Sequence, residues 1–202
     1  MLFRSMASEL PLVLASASPR RAELLDRAGI SFVVDPASVD ESVLPGESAE
    51  AYAGRVARAK ALVVHARHPG RAVLAADTVV VVDGAILGKP RDDADARRML
   101  RLLSDRTHDV LTAVCLIQDG AEESFIARTQ VTFTPLGDDE IDWYVGTGEP
   151  RDKAGAYAIQ GLASRFASRI DGSYSNVVGL TVAAVYGRLR PSSRANRLDR
   201  EI

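Results

Sequence analysis

Short apolar runs and longer helical patterns alternate along this chain, with turn signals between them. Leu12 to Ser16 is an apolar run that breaks directly into Ser-Pro, and Pro19 fits the first turn of a helix predicted to about Ala28, where Gly29 supplies the stop. Ile30 to Val34 reads as a second strand, ended by Asp35-Pro36. The stretch 37–46, ASVDESVLPG, has no regular period and is predicted to be a surface loop. Ser48 then caps a helix through about Arg67, rich in Ala, with Val56, Leu62 and Val63 available for its buried face.

The run from Ala72 to Val82 is mostly β-branched and leads through Asp83-Gly84 into a short returning strand, which predicts a hairpin beside a buried strand. Asp92-Asp93 opens a helix to about Leu103, with Ala96, Met99, Leu100 and Leu103 at helical spacing. Val110 to Gln118 and Ser124 to Thr134 form two strands joined at Asp119-Gly120, an antiparallel pair. Gly137 to Val145 is a short helix whose acidic first turn complements the helix dipole. The stretch 146–172 is rich in glycine and polar residues and leads to IDGSYSNVVGLTV and then a final helix ending near Leu189. Crossover helices mixed with hairpins predict an α/β fold around a mixed, twisted sheet with flanking helices. Residues 1–11 are expected to form an N-terminal extension, 12–189 a single domain, and 190–202, which lack an apolar face, a frayed tail.

Composition narrows the function classes. The chain has 202 residues, 47% of them apolar, and a net charge of −2, enough to bury a core as one domain or two small lobes. Its longest apolar run is interrupted by Asp77 and falls well short of the roughly 20 residues that span a bilayer, so no membrane partner is expected. No secretory signal is evident in Met1 to Pro11, and the single Cys115, expected to be buried, excludes an intrachain disulfide and suits a reducing cytoplasm. Slight acidity and scattered arginines argue against nucleic-acid binding. His65, His68 and His108 lack zinc-ligand spacing, and there is no Gly-x-Ser-x-Gly, Walker loop or dinucleotide fingerprint.

Three features carry candidate chemistry. In LVLASASPRRAELL, a buried strand feeds straight into a helix, so unpaired N–H groups and the helix dipole make an anion site. Ser16 and Ser18 add hydroxyls, and Arg20 and Arg21 add fork-shaped cations suited to phosphate oxygens; the alternative is a plain helix opening with two solvated arginines. Asp77, followed by Thr78, is an acid inside a run that is otherwise apolar, and it needs a metal ion, a cation or a place facing a cleft. Lys60 and Lys89 are candidate companions, or solvated surface residues. In DKAGAYAIQG, small residues allow close backbone approach to a flat ligand and Gln160 offers a donor and an acceptor to a base edge; the same glycines fit a bend in a sheet.

The blocks LASASPRRAELL, AADTVVVVDGAILGKP, LSDRTHDVLTAVCL, DKAGAYAIQG and GSYSNVVGL, in this order between Leu12 and Leu189, resemble the Maf family of nucleoside triphosphate pyrophosphatases. The resemblance implies a fold similar to inosine triphosphate pyrophosphatases, with two lobes around a cleft, and a homodimer. It implies cleavage between the α- and β-phosphates with a divalent metal, Mg²⁺ or Mn²⁺. By motif, Asp77 would be the catalytic base, and Arg20, Thr78 and Gln160 would bear on substrate choice. Ser16, Ser18, Arg20, Arg21, Lys60 and Lys89 would hold phosphates, and Asp77 with Glu41 would hold the metal. Glutamine in AIQG resembles the branch acting on dTTP and UTP. A 7-methyl-GTP or other modified-nucleotide pyrophosphatase is the alternative among enzymes, and a nucleotide-binding regulator of cell division is the alternative outside them.

Overall fold

A computed structural model describes residues 11–189. The expectation of a frayed tail at 190–202, and all but Pro11 of the expected N-terminal extension, lie outside the described residues. Seven strands form one mixed sheet: β1 (Leu12–Leu14), β2 (Phe32–Val34), β3 (Val73–Val82), β4 (Ala85–Leu87), β5 (Thr107–Gln118), β6 (Ala121–Phe133) and β7 (Ala167–Asp171). Their order is β2-β1-β3-β5-β6-β7, with β4 paired to β3. The β1 pairings to β2 and β3 are parallel, and every other pairing is antiparallel.

The two hairpins arise where the turn chemistry predicts them. Asp83 and Gly84 have φ of 50° and 77°, and Asp119 and Gly120 have 53° and 75°, the doubly left-handed backbone of a two-residue hairpin that matches strand twist. Because the second turn is so tight, β6 starts at Ala121, paired with Gln118, rather than at Ser124. Glu122 and Glu123 disguise that start, since this end of β6 faces solvent and its side chains carry no apolar signal.

Among the described residues, six α-helices cover the sheet: α1 (Pro19–Arg27), α2 (Ala49–Arg67), α3 (Asp93–Leu103), α4 (Asp138–Gly146), α5 (Tyr174–Val178) and α6 (Val182–Leu189). Ser48 and Asp92 cap α2 and α3 through side-chain bonds to the N–H groups of Ala51 and Asp95. The final helix expected to end near Leu189 is α6, and the short α5 precedes it within GSYSNVVGL, the two separated at Gly179, where φ is 130°. Three 3₁₀ turns and β7 fill 149–171, where the polar sequence hides a strand that pairs with β6.

Alternation along β3 sorts its side chains onto two faces. Val73, Ala75 and Val79 face α2, joining Leu111, Ala113, Cys115 and Ile117 of β5. Leu74 and Ala76 face the opposite side with Leu25 of α1 and Val185 of α6, and farther along that face Val80 and Val82 meet α3, α4, Phe133 and Phe166. Helix α2 corrects one expectation. Its buried stripe is Ala49, Tyr52, Ala53, Val56, Ala57, Lys60, Ala61 and Val64, while Leu62 and Val63 are exposed. Val63 lies seven residues from Val56, but the buried stripe is centred on Ala53, Lys60 and Val64, so Val63 falls at its edge and Leu62 on the far side, and a lysine takes a core-facing place that an apolar residue would ordinarily hold.

His108 is buried between Phe133 and Tyr157, its Nε2 2.9 Å from the Tyr157 hydroxyl. Burial pulls the imidazole down to about 4 from its ordinary 6.5, so the folded chain keeps it neutral. The unfolded chain binds a proton below about pH 6.5 that the folded chain resists until about pH 4, so stability falls through that window. At ~1.4 kcal/mol per pKa unit the loss is about 3 kcal/mol. Denaturant midpoints measured from pH 8 to 4 should show this decline, and His108→Phe should flatten it.

Candidate active site

The site is built around a gap in the sheet. On one edge of β3, β1 pairs with Val73 and Leu74 and β4 pairs with Val80 to Val82, leaving Ala75 to Val79 without a strand neighbour on that side. The chain leaves β1 at Ala15, whose N–H still bonds the Leu74 carbonyl at 2.8 Å, and turns through 16–18 into α1 beside the gap. A cleft of about 970 Å³ opens there, lined by 15–21, Glu41, Lys60, Asp77, Thr78, Lys89, 152–154 and 157–160 among others. Ligands in open α/β sheets lie in such a crevice, at the carboxyl end of a parallel strand.

Asp77 and Thr78 both reach this gap from opposite faces of β3. On the α2 side, Asp77 Oδ1 accepts a hydrogen bond from Lys60 Nζ at 2.8 Å, and the same ammonium is 2.8 Å from Glu41 Oε1. Asp77 and Lys60 are 7% and 8% exposed, so this is a buried charge pair facing a wet cleft. Burial pushes the Asp77 carboxyl above its usual range, against the pull of Lys60 and Arg21. On the other side, Arg21 is buried and fully engaged: Nε donates to the Gly179 carbonyl (2.8 Å), Nη1 to Ser16 Oγ (3.0 Å) and Nη2 to Thr78 Oγ1 (3.0 Å). Arg21 is therefore a strut under the anion loop as well as a local positive charge, and the solvated-arginine alternative does not apply to it. Ser16 Oγ also accepts the Ser18 N–H at 3.2 Å, which shapes the loop. Ser18 stands at the N-cap of α1 without a side-chain capping bond.

Arg20 points across the cleft mouth to Asp152, 2.8 Å from its carboxylate and 3.2 Å from its carbonyl. Burial would raise Asp152, but hydrogen bonds from Lys153 and Arg20 outweigh it and bring the carboxyl down to about 2. Lys89 is exposed on the cleft wall with no carboxylate partner among the described residues. Gln160 is exposed, and its amide makes no hydrogen bond within the described residues, so both of its polar atoms are available to a ligand. The segment leading to it presses on β3: Gly155 has φ of 67°, and a Cβ there would stand 2.8 Å from Val80 Cγ2.

The sequence profile described as "Maf-like protein" matches residues 11–192. The chain belongs to the Maf family. A "dTTP/UTP pyrophosphatase" of Anaeromyxobacter dehalogenans (strain 2CP-C) is 57% identical over 183 residues, covering 89% of this chain and 92% of that one. Proteins of the same name from Myxococcus xanthus and Geobacter sulfurreducens are 55% and 50% identical, covering 86% and 89% of this chain and 88% and 95% of theirs. The solved structure of the Staphylococcus aureus Ham1 protein aligns with a TM-score of 0.49 at 16% identity, covering 89% of this chain and 100% of that one.

The ten residues singled out from the Maf resemblance all line this one cleft. Others were not singled out. Tyr52 and Arg55, one turn apart on α2, tie down the Glu41 loop: the Tyr52 hydroxyl donates to the Glu41 carbonyl (2.9 Å) and Arg55 Nη2 to the Ser42 carbonyl (2.8 Å). Asn176, fully buried, sends its amide to the Val110 carbonyl (3.1 Å) and Thr129 Oγ1 (3.0 Å), fixing α5 and the carbonyl that holds Arg21. Asp152 opens the DKAGAYAIQG block, but only the fold brings it to Arg20, with Lys153 on its other side. No group of three or more His, Cys, Asp or Glu among the described residues could hold a metal alone. Asp77 and Glu41, drawn to one ammonium, are hard oxygen donors that fit a divalent cation whose remaining ligands are water and phosphate oxygens.

A ¹³C titration of the Asp77 carboxyl should give a midpoint above the ordinary 3.8, and Lys60→Met should raise it further by removing the charge that opposes burial. A midpoint that stays put or falls in Lys60→Met would contradict this electrostatic account.

Proposed function

We propose that this Maf protein hydrolyses dTTP and UTP to the nucleoside monophosphate and pyrophosphate. The observation that carries the reading is Asp77, a buried carboxyl paired with Lys60 in a cleft whose other wall presents an unpaired glutamine amide. The names of relatives at 50% to 57% identity over most of the chain support the substrate choice.

In this reading the triphosphate lies along the loop 16–18 and the first turn of α1, where backbone N–H groups and Arg20 and Lys89 offset its roughly four negative charges. Arg20 exchanges its Asp152 partner for a phosphate. Asp77 takes a proton from water as the water oxygen bonds to phosphorus and the bridging oxygen between α- and β-phosphorus departs, leaving monophosphate and pyrophosphate. A carboxyl raised by burial is a stronger proton acceptor than a solvated one, and the Lys60 ammonium favours its ionised form against that burial. A divalent ion, Mg²⁺ or Mn²⁺, held by Asp77, Glu41 and phosphate oxygens, supplies further charge neutralisation when bound. Uracil and thymine share an edge of two carbonyl oxygens and one N–H, which the Gln160 amide complements for both. The proposal includes a cytoplasmic setting, supported by the lone buried Cys115, and a homodimer, which light scattering of the purified protein tests.

Pyrophosphate release should be rapid from dTTP and UTP with Mg²⁺ or Mn²⁺ and slow from CTP, GTP, ATP and 7-methyl-GTP, and Asp77→Asn should abolish it while keeping the native fold. Release from 7-methyl-GTP alone would overturn the substrate choice, and tight nucleotide binding without release would favour a regulator. Gln160→Glu sets a carboxylate against the two base carbonyls and should lower kcat/KM for dTTP and UTP roughly 100-fold, with the thermal midpoint unchanged. An unchanged substrate profile would remove Gln160 from base selection.

A further inference from the structure

Gln160 sits in a stretch outside any strand or α-helix, so its aim at the cleft depends on what holds the backbone on either side. On the N-terminal side, the hydroxyl of Tyr144, a fully buried residue of α4, accepts the Ala158 N–H at 3.1 Å and donates to Glu149 Oε1 at 2.8 Å. On the C-terminal side, the N–H of Leu162 donates to Glu149 Oε2 at 3.1 Å and that of Ala163 to Oε1 at 3.4 Å. One carboxylate and the phenol that feeds it thus secure both flanks of 159–161. Gly161 lies directly against that carboxylate: a Cβ there would stand 2.3 Å from Glu149 Oε2. Neither Tyr144 nor Glu149 lines the cleft.

We propose that Tyr144 and Glu149 are positioning residues for nucleobase recognition, a two-part clamp that sets the Gln160 amide where the pyrimidine edge must meet it. The proposal rests on the reading of Gln160 as the base-pairing amide. A carboxylate suits the task because all three of its partners are donors, and a glutamine would turn an N–H toward at least one of them. Burial keeps the Tyr144 phenol protonated, so it remains a donor to Glu149 at any working pH.

The test is a kinetic cycle on the full chain with dTTP and UTP, using Glu149→Gln, Tyr144→Phe, Gln160→Ala and the Glu149→Gln/Gln160→Ala double variant. Glu149→Gln and Tyr144→Phe should each raise KM about tenfold, the order expected for one charge-assisted or buried hydrogen bond, and leave kcat within about twofold. In the Gln160→Ala background the Glu149→Gln effect should vanish, because a clamp acting through Gln160 has nothing left to aim. Unchanged KM in both clamp variants, a fall in kcat at constant KM, or full additivity with Gln160→Ala overturns the clamp alone. Unchanged KM in Gln160→Ala overturns the Gln160 reading and the clamp with it. Should Glu149→Gln fail to fold, Tyr144→Phe, which keeps the ring in the core and removes one oxygen, decides the question.

Discussion

The buried ion pair between Lys60 and Asp77 is the constraint around which the rest is arranged. Taking two charges out of water costs several kcal/mol per ion, on the order of what their mutual attraction returns, and a pair of apolar side chains would serve the core at least as well. The pair persists because it stands at the boundary between core and cleft. Lys60 reaches it from the inward stripe of α2, between Val56 and Val64, and Asp77 from the middle of an otherwise apolar strand. Each makes the other's burial tolerable, and Lys60 favours the ionised form of a carboxyl that burial pushes toward the protonated one.

That pair can face a ligand only because the sheet is incomplete beside it. β1 is three residues long and β4 three, and neither covers the centre of the ten-residue β3. The short β1 ends where the chain must turn into α1, so the gap and the helix N-terminus are made by the same event. Alternation along β3 then sends Asp77 to the α2 side and Thr78 to the α1 side. Thr78 belongs to a polar seam in which Thr112, Asn176 and Thr129 pass hydrogen bonds through the sheet face to α5. The seam holds the Gly179 carbonyl under Arg21, and within the polar block GSYSN it buries Asn176 against the sheet while Tyr174 stays exposed.

The walls of the cleft differ in how firmly they are held. The anion loop rests on Arg21 and its three partners, and the 158–163 segment is anchored at both flanks. The 35–48 loop carrying Glu41 is exposed along most of its length and is tied to α2 through Tyr52, Arg55, Lys60 and Arg67.

Much of this was legible in the chain itself. The β-branched run, the two Asp-Gly turns and the Ser48 and Asp92 caps specify their elements through local backbone preference, which needs no partner to act. An acid inside an apolar run, and Ser-Pro-Arg-Arg at a strand-to-helix turn, announce chemistry because each is costly without a purpose. Only the tertiary structure decided that Lys60 is core-facing while Leu62 and Val63 are exposed, since the phase of an Ala-rich helix depends on the sheet it packs against. Likewise, β7 exists because β6 offers an edge to pair with, and α5 ends at Gly179, whose carbonyl meets Arg21. Contacts such as Arg20 with Asp152 and Glu149 with the flank of Gln160 join residues whose sequence gives no hint of each other, because hydrogen-bond partners across a fold are set by where the backbone brings them.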